Sequence, residues 1–117
     1  MELQTRIIED TLLVKIVGEL DHHSSEDIRN QIDKLLSSNS IINIIFDLSH
    51  MNFMDSSGVG MFMGRYKKIK MKNGIPVMIN IQDSNRRLLK MSGLFNIYQE
   101  YKDLDDAILA IRRGSDE

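Results

Sequence analysis

The segment at residues 41–46 restricts the fold of this chain more than any other. Its sequence, Ile-Ile-Asn-Ile-Ile-Phe, contains four isoleucines, one phenylalanine and a single polar residue. β-Branched and aromatic residues favour strands, and a strand that is apolar on both faces lies inside a sheet covered by helices on both sides. The segment therefore predicts a central strand of an α/β domain.

Strand and helix patterns alternate along the rest of the chain. Strands are predicted at residues 3–8, 12–17, 41–46 and 76–81, with a short one at 97–98. Apolar residues at helical spacing predict helices that begin at Ser24, run over residues 57–72 and 84–91, and begin again at Asp103. The order ββαβαβα(β)α predicts an α/β fold with a mixed, mostly parallel sheet of four to five strands and about four helices.

The length of the chain allows one domain. A chain of 117 residues can bury a substantial core but does not divide into two domains. We expect the domain to cover residues 2–112, with a flexible tail at 113–117, because the final Gly-Ser-Asp-Glu offers nothing to bury.

The composition excludes several classes of protein. The chain has no cysteine, so it forms no disulfide and no thiolate site. A formal net charge of -2 and an aromatic content of 6% without tryptophan argue against direct nucleic-acid binding. No apolar run reaches the roughly 20 residues that span a bilayer, and the first residues do not resemble a secretory signal. We therefore expect no membrane insertion, a cytoplasmic location, and a protein or a small molecule as the partner.

Two loops of the predicted sheet are expected to meet. The segment at residues 18–23 and the loop at residues 48–58 each follow a strand of a parallel unit. Because the carboxyl ends of parallel strands share one edge of the sheet, the two segments are placed side by side. Open α/β sheets usually bind their ligands at this edge.

The first candidate site is Asp55-Ser56-Ser57-Gly58, directly before the second helix. Aspartate and serine are good N-caps, so one of these side chains is expected to cap the helix. Two adjacent hydroxyls exceed what one cap needs, and Gly58 would let another chain approach the backbone. The positive end of the helix dipole also suits a phosphate. Either Ser56 or Ser57 is therefore a possible phosphoacceptor.

The second candidate is the segment that contains Glu19, Asp21 and His22. These residues are polar loop residues by the simplest interpretation, and Ser24 with Asp27 forms a weak capping box for the first helix. We expect Glu19, Asp21 and His22 to contact a partner next to the phosphoacceptor. A metal site would need His50 to join this segment, and no metal is expected.

The third candidate is the outer face of the second helix. Its core stripe is predicted to consist of Val59, Phe62, Met63, Tyr66 and Ile69, and the residues predicted to lie off this stripe are Gly60, Met61, Gly64 and Lys68. The alternatives are close packing of the glycines on a neighbouring element and a smooth patch in which Met61 contacts a partner. The cations Arg65, Lys67, Lys68, Lys70 and Lys72 are interpreted as a solvated face.

The sequence gives little support for catalysis. Ser56 is not in a Gly-x-Ser-x-Gly elbow, and no Gly-rich phosphate loop occurs. A phosphoaspartate receiver domain would need an acidic pair near the first strand and a lone aspartate after the third. Glu9-Asp10 and Asp47 fit that pattern only loosely.

Four motifs together resemble a known family. They are Gly-Glu-Leu-Asp-His-His at 18–23, Phe-Met-Asp-Ser-Ser-Gly-Val-Gly at 53–60, Gly-Arg-Tyr-Lys at 64–67 and Met-Ser-Gly-Leu-Phe at 91–95. From about residue 2 to residue 111 the chain resembles the STAS-domain anti-anti-sigma factors. The resemblance implies a single STAS domain.

The resemblance also implies a mechanism. The unphosphorylated chain would bind an anti-sigma factor that is also a serine kinase, of the SpoIIAB type with bound ADP or ATP, and release a sporulation sigma factor. The kinase would phosphorylate Ser56, the serine that follows the motif aspartate, and a PP2C-type serine phosphatase would reverse the reaction. Asp55, Ser57, Gly58, Gly60 and Met61 would join the loop residues in the partner surface.

In this interpretation the chain is not an enzyme, needs no cofactor and is a monomer. The alternative is a STAS module that binds a nucleotide or acts as a scaffold at the same edge of the sheet.

Overall fold

The computed structural model describes residues 2–115 of the chain. These residues form six strands and four α-helices, with a short 3-10 turn at Leu94–Asn96. The strands are β1 (Glu2–Ile8), β2 (Thr11–Leu20), β3 (Asn43–Asp47), β4 (Met51–Met54), β5 (Pro76–Ile79) and β6 (Gln99–Tyr101). The helices are α1 (Ser25–Leu36), α2 (Ser56–Met71), α3 (Asp83–Met91) and α4 (Leu104–Ser115).

The strands form one mixed sheet in the order β1-β2-β3-β5-β6, and β4 pairs with the far end of β2. The β1–β2 hairpin is antiparallel, and all the other pairings are parallel. The α/β class and the mostly parallel sheet predicted from the sequence are confirmed. As predicted, the sheet is covered by helices on both faces.

The hydrophobic core has two parts, one on each face of the sheet. The larger part lies against α1, α2 and α3 and contains Phe46 of β3 and Phe62 of α2. Their rings meet edge to face with centroids 4.9 Å apart, an arrangement that aromatic pairs prefer. The smaller part lies under α4 and contains Ile45, Val77, Ile79, Ala107 and Ile111. Alternate residues of β3 therefore serve opposite parts of the core.

Tyr98 closes the larger part of the core. Its hydroxyl donates a hydrogen bond of 2.7 Å to the backbone oxygen of Phe62. Burial raises the pKa of the Tyr98 phenol, because the charged phenolate would lose its hydration. The side chain is therefore a neutral donor that ties the segment after α3 to α2.

Three element boundaries differ from the sequence predictions. Residues 51–54 form a strand, although they lie within the predicted loop at 48–58. The sixth strand occupies residues 99–101, two residues beyond the predicted 97–98. α4 extends to Ser115 and so includes the first residues of the predicted tail at 113–117. Residues 116 and 117 lie outside the described residues.

The buried face of α2 also differs from the predicted stripe. Met61 and Arg65 are buried, at 3% and 4% exposure, whereas Val59, Met63 and Tyr66 are only partly buried. The helix packs on α1 as well as on the sheet, so its buried arc is rotated towards α1. The prediction that Met61 lies on an outer face is therefore wrong.

Two cations assigned to a solvated face have structural contacts. Arg65 approaches Asp33 of α1, with 2.9 Å between Nε and Oδ1. Lys72 donates hydrogen bonds to the backbone oxygens of Leu36, Ser38 and Ile41. Both side chains therefore hold α1 against α2. The other lysines of the group are exposed, although Lys68 also approaches Asp33 at 3.9 Å.

Within the described part of the chain, no helix combines the length and the apolar character that crossing a membrane requires.

Candidate functional site

Asp55 is the residue that caps α2. Its backbone is extended, with φ −119° and ψ −169°, and its Oδ1 accepts a hydrogen bond of 2.8 Å from the Ser57 amide. Its backbone oxygen accepts bonds from the amides of Gly58 at 3.0 Å and Val59 at 3.4 Å. Most orphan amides of this helix start are thereby satisfied. The cap is the aspartate and not a serine.

Both serine hydroxyls of the motif remain available. Ser56 is exposed and Ser57 is partly buried, and within residues 2–115 neither hydroxyl makes a hydrogen bond. The amide of Ser56 is the one amide of the first turn that has no partner among the described residues. A phosphate on Ser56 would lie near the positive end of the helix dipole. Only one free backbone amide of the first turn would be available to bind it.

The start of α1 is organised by Asp21. Its Oδ1 accepts hydrogen bonds from the amides of His23 at 2.9 Å and Ser24 at 3.0 Å. The bond from the Ser24 amide holds the pKa of the Asp21 carboxyl below its ordinary value. Desolvation opposes this only in part, and the bond from the His23 amide lowers the pKa further. Asp21 is therefore a carboxylate at neutral pH.

Ser24 does not form the predicted capping box. Its hydroxyl makes no cap hydrogen bond to α1. It donates to the backbone oxygen of Glu19 at 2.8 Å and accepts from the Asp21 amide at 3.0 Å. The hydroxyl therefore closes the loop that leads from β2 into α1, and this loop fixes Glu19 and Asp21 relative to each other.

The two predicted loops meet, and Asp55 joins them. Its Oδ2 accepts a hydrogen bond of 3.2 Å from the His22 amide, and its own amide donates to the Leu20 oxygen at 3.2 Å. Gly58 packs on the same strand end, because a Cβ built there would lie 3.0 Å from the Leu20 side chain. The prediction that Gly58 admits another chain is therefore wrong, since its open side faces Leu20.

An exposed aromatic side chain adjoins this junction, and the sequence analysis missed it. Phe53 of β4 is 47% exposed and lies opposite Glu19 in the β2–β4 pairing, where the register shifts. The sequence gives little indication that Phe53 is exposed, because a single phenylalanine before the motif is equally compatible with a position in the core.

A comparison with known proteins decides the family. The model of the STAS domain family matches residues 2–107. The chain belongs to the STAS family. The domain is 40% identical to the anti-sigma F factor antagonist of Paenibacillus polymyxa over 83% of either chain. It is 30% identical to the anti-sigma-B factor antagonist of Bacillus subtilis, over 76% of this chain and 80% of the relative.

Solved structures agree with this assignment. The structure of the Bacillus cell fate determinant SpoIIAA in its phosphorylated form superposes with a TM-score of 0.74 at 29% identity, over 94% of this chain and 99% of that one. The resemblance inferred from the sequence motifs is thus confirmed at the level of the family and the fold.

The site residues of this STAS domain border two open grooves that meet at the first turn of α1. One groove, of about 460 Å³, is lined by His22, Ser25, Glu26, Arg29, Ser57, Gly60 and Met61. The other, of about 430 Å³, is lined by Gly18, Glu19, Asp21, His23, Ser24 and Asp27. The second groove is acidic, whereas Arg29 brings a cation to the first.

Gly60 is an open position in the first groove. A Cβ at Gly60 or Gly64 would meet nothing within 4 Å outside the helix's own backbone. The alternative of close packing against a neighbouring element is therefore wrong for these two glycines. Met61 lines this groove but is almost fully buried. It is therefore not the exposed apolar contact that the sequence suggested.

The geometry excludes the receiver-domain alternative. Glu9 and Asp10 form the β1–β2 turn. The next residue, Thr11, pairs with Asn43 at the beginning of β3. Asp47 is the last residue of β3. The acidic pair and the lone aspartate therefore lie at opposite edges of the sheet. Among residues 2–115, no group of three or more histidine or acidic side chains is arranged to hold a metal ion.

Proposed function

We propose that this STAS protein is an anti-sigma factor antagonist that is switched off by phosphorylation of Ser56. In the unphosphorylated form it binds an anti-sigma factor that is also a serine kinase, of the SpoIIAB type with bound ADP or ATP. The anti-sigma factor then releases its sigma factor. The chain is a substrate and a regulator in this scheme, not a catalyst, and it acts in the cytoplasm.

The observation that carries the proposal is the exposed, unbonded hydroxyl of Ser56 at the first position of α2. A kinase must reach the hydroxyl in line with the γ-phosphate of ATP, and a side chain that projects from a helix start meets this need without local unfolding. Ser57 is the less suitable acceptor. Its amide is tied to Asp55 at 2.8 Å, and its side chain lines the groove between α1 and α2.

The partner surface is proposed to cover both grooves around the start of α1. Glu19, Asp21 and His22 supply the loop side, and Asp55, Ser57 and Gly60 supply the side of α2. Gly58 and Met61 act from beneath this surface, Gly58 through its packing on Leu20 and Met61 at the floor of a groove. The acidic groove favours basic side chains in the part of the partner that enters it.

Phosphorylation is proposed to act through charge at this surface. A phosphoserine adds about −1.5 to −2 charges at neutral pH beside the carboxylates of Asp55, Asp21 and Glu19. The first turn of α2 offers one free amide to neutralise it. Ser56 lines neither groove, so the added charge faces a part of the partner other than the basic side chains that enter the acidic groove. There the phosphate is proposed to repel acidic groups of the partner, and its bulk to clash sterically with them.

The sigma factor is proposed to be of the sporulation type. The identity to an anti-sigma F factor antagonist, 40%, exceeds the identity to an anti-sigma-B factor antagonist, 30%. A PP2C-type serine phosphatase would regenerate the active form. These specific partners follow from similarity, and the geometry of the site is compatible with either sigma factor.

The experiment is a phosphorylation assay with the cognate kinase and ATP. Wild type, Ser56→Ala and Ser57→Ala are incubated in parallel, and the modified residue is mapped by mass spectrometry. We expect incorporation of one phosphate in wild type and in Ser57→Ala, and none in Ser56→Ala. Incorporation outside residues 55–57 would overturn the proposal, and incorporation at Ser57 would reassign the acceptor.

A nucleotide-binding STAS module is the less suitable interpretation of the same edge. Three carboxylates, Glu19, Asp21 and Asp27, line the groove beside β2, and they would repel the phosphates of a nucleotide. Titration with GTP or ATP, followed by amide protection in the loop at 21–24, distinguishes the two. We expect no protection.

A further inference from the structure

The two edges of the sheet are protected very differently. β6 has only three residues, Gln99–Tyr101, and Glu100 on it is held by a bidentate pair with Arg86 of α3. β1 at the other edge has seven residues, Glu2–Ile8. All seven pair with β2 without a shift in register. One edge is therefore short and clamped, whereas the other is long and regular.

β1 lacks most of the features that normally prevent edge strands from pairing. Short length, charged side chains (lysine above all), proline and bulges are the usual protections. The strand Glu-Leu-Gln-Thr-Arg-Ile-Ile is long and has no lysine, proline or bulge, and its two charges, on Glu2 and Arg6, are of opposite sign. Ile7 on this edge is 55% exposed. Within residues 2–115, Arg6 has no ion-pair partner. The edge therefore has exposed apolar and charged groups as well as free backbone groups.

The free backbone groups belong to Leu3, Thr5 and Ile7. The β1–β2 turn has two residues, so the closing pair Ile8 and Thr11 exchanges both backbone hydrogen bonds. Hydrogen-bonded pairs alternate along an antiparallel ladder. The N–H and C=O groups of the three odd-numbered residues consequently point away from β2, into solvent.

We propose that β1 pairs with β1 of a second copy of this chain, antiparallel and around a two-fold axis at Thr5, so that two sheets become one continuous sheet. In this register Leu3 lies opposite Ile7 of the second copy, Thr5 opposite Thr5, and Ile7 opposite Leu3. These pairs exchange up to about six backbone hydrogen bonds. A two-fold contact of this kind closes on itself and stops at the dimer.

The side chains of β1 are self-complementary in this register. Leu3, Thr5 and Ile7 lie on the core side of the sheet, because they pair with the fully buried Ile16, Val14 and Leu12. Two apolar Leu3–Ile7 contacts thus extend the larger core across the axis. Apolar cross-strand pairs of this type stabilise antiparallel sheets.

The opposite face of β1 is complementary in charge. Gln4 comes to lie opposite Arg6 of the second copy, and the diagonal neighbours of Arg6 are Glu2 and Arg6 of that copy, so two attractive contacts stand against one repulsive contact. Glu2 and Arg6 are both exposed, so each dimer gains two carboxylate–guanidinium contacts that the single chain lacks. This self-complementarity favours a second copy over an unrelated extended segment as the occupant of the edge.

Pairing at β1 leaves the proposed partner surface free. β1 occupies one side of β2, whereas β3 and the strand end that leads to α2 occupy the other. The monomer expected from the family resemblance is replaced in this proposal by a dimer that forms at high protein concentration. The interface is small, and its dissociation constant is expected in the micromolar range or above.

The test is sedimentation velocity of the full chain from about 5 µM to about 500 µM, a range that brackets a micromolar dissociation constant. We expect wild type to pass from monomer to dimer, and Ile7→Lys to stay monomeric because it places an ammonium opposite Leu3. Leu109→Lys is the matched control, since Leu109 is 49% exposed on α4, and it should dimerise like wild type. A monomeric wild type over the whole range, or equal association of all three proteins, overturns the proposal.

Cross-linking locates the axis independently of affinity. The chain has no cysteine, so Thr5→Cys and Leu109→Cys each carry one unique thiol. A short bifunctional maleimide should convert Thr5→Cys to a covalent dimer at least tenfold faster than Leu109→Cys. Circular dichroism of each variant checks that it is folded. Equal rates of cross-linking in two folded variants would contradict pairing at β1.

Discussion

Gly58 and Gly60 lie two residues apart on α2, yet a methyl group should affect them in opposite directions. A Cβ at Gly58 would lie 3.0 Å from the Leu20 side chain and 3.2 Å from its backbone oxygen, whereas a Cβ at Gly60 would meet nothing within 4 Å. We expect Gly60→Ala to raise the free energy of unfolding by about 0.5–1 kcal/mol through helix propensity. Gly58→Ala should lower it by about 1–3 kcal/mol through overpacking. Urea unfolding measures both, and the same sign for the two variants would contradict the packing described.

Asp55 holds the site together with two different oxygens, and this predicts a selective loss. Asparagine has one acceptor oxygen, so Asp55→Asn can keep the bond to the Ser57 amide and must lose the bond to the His22 amide. We expect hydrogen exchange to accelerate at His22 while Ser57 stays protected. Asp55→Ala should accelerate exchange at both amides and cost about 1 kcal/mol of stability. Unchanged exchange at His22 in both variants would show that the 3.2 Å contact does not persist in solution.

At this scale residue type could name the cap of α2 only as a group, and it was the family resemblance that favoured Ser56 over Ser57 as the phosphoacceptor. Aspartate and serine have similar preferences for the N-cap, so residue type does not decide among Asp55, Ser56 and Ser57. The identity of the cap is decided by the extended backbone of Asp55, which depends on where β4 ends. Residue type alone also cannot reveal that the open side of Gly58 faces Leu20.

At the level of elements, α1 depends on the charge of Asp21. The bond from the Ser24 amide, and to a smaller extent that from the His23 amide, lowers the pKa of this carboxyl from its ordinary value of 3.8. A lowered folded-state pKa contributes stability that is complete well above 3.8 and is lost as the pH falls through the folded-state value. We therefore expect Asp21→Asn to be less stable than wild type at pH about 7, with the gap narrowing below pH about 4. Urea midpoints at several pH values check this, and a constant gap would contradict it.

α1 and α2 are joined by an ion pair whose two side chains differ in burial. Arg65 is 5% exposed in its side chain and Asp33 is 27% exposed, and their close contact lacks hydrogen-bond geometry. Burial lowers the pKa of the Arg65 guanidinium, and the Asp33 carboxylate partly offsets this. The arginine therefore bears most of the desolvation cost, and the aspartate offsets it.

Because Arg65 is more deeply buried than Asp33, substitutions of the two residues should differ in their effect on stability. Asp33→Asn leaves a buried guanidinium without its counter-ion and should lower the free energy of unfolding by about 2–4 kcal/mol. Arg65→Met removes the buried charge and keeps an apolar stem, so its cost should stay near or below about 1 kcal/mol. Lys68→Met is the control, because its ammonium is 3.9 Å from Asp33 and 47% exposed. Equal losses for the first two variants would contradict the assignment.

The sequence predicted the elements with strong periodicity and missed those that depend on tertiary contacts. The run that contains β3 is apolar on both faces, and a covered central strand is the structure that tolerates this. β4 has four residues, of which only Met51 and Met54 are buried, too few to establish alternation. Arg65 was assigned to solvent because the search for apolar periodicity counts every arginine as polar. An arginine can nevertheless bury its aliphatic stem when its charge is paired.

At the scale of the whole molecule, the sheet places the loop after β2 beside the start of α2, and Asp55 fixes their relative position. A rigid junction of this kind transmits a change of charge to a partner without a change of fold. Sequence reasoning reached this juxtaposition because parallel strands share their carboxyl edge. It could not reach the two separate grooves, since these depend on how α1 packs against α2.

Phosphorylation of Ser56 is therefore expected to change binding far more than folding. The helix dipole favours the phosphate by about 0.3–1 kcal/mol, and repulsion from Asp55 opposes it, so the free energy of unfolding should change by less than about 1 kcal/mol. Ser56→Asp and Ser56→Asn have nearly equal size and differ in charge. We expect Ser56→Asp to bind the anti-sigma factor at least tenfold more weakly than Ser56→Asn, with the gap closing at about 1 M salt because exposed charges are screened. Calorimetric titration at two salt concentrations measures this, and equal weakening by both variants would show that bulk, not charge, operates the switch.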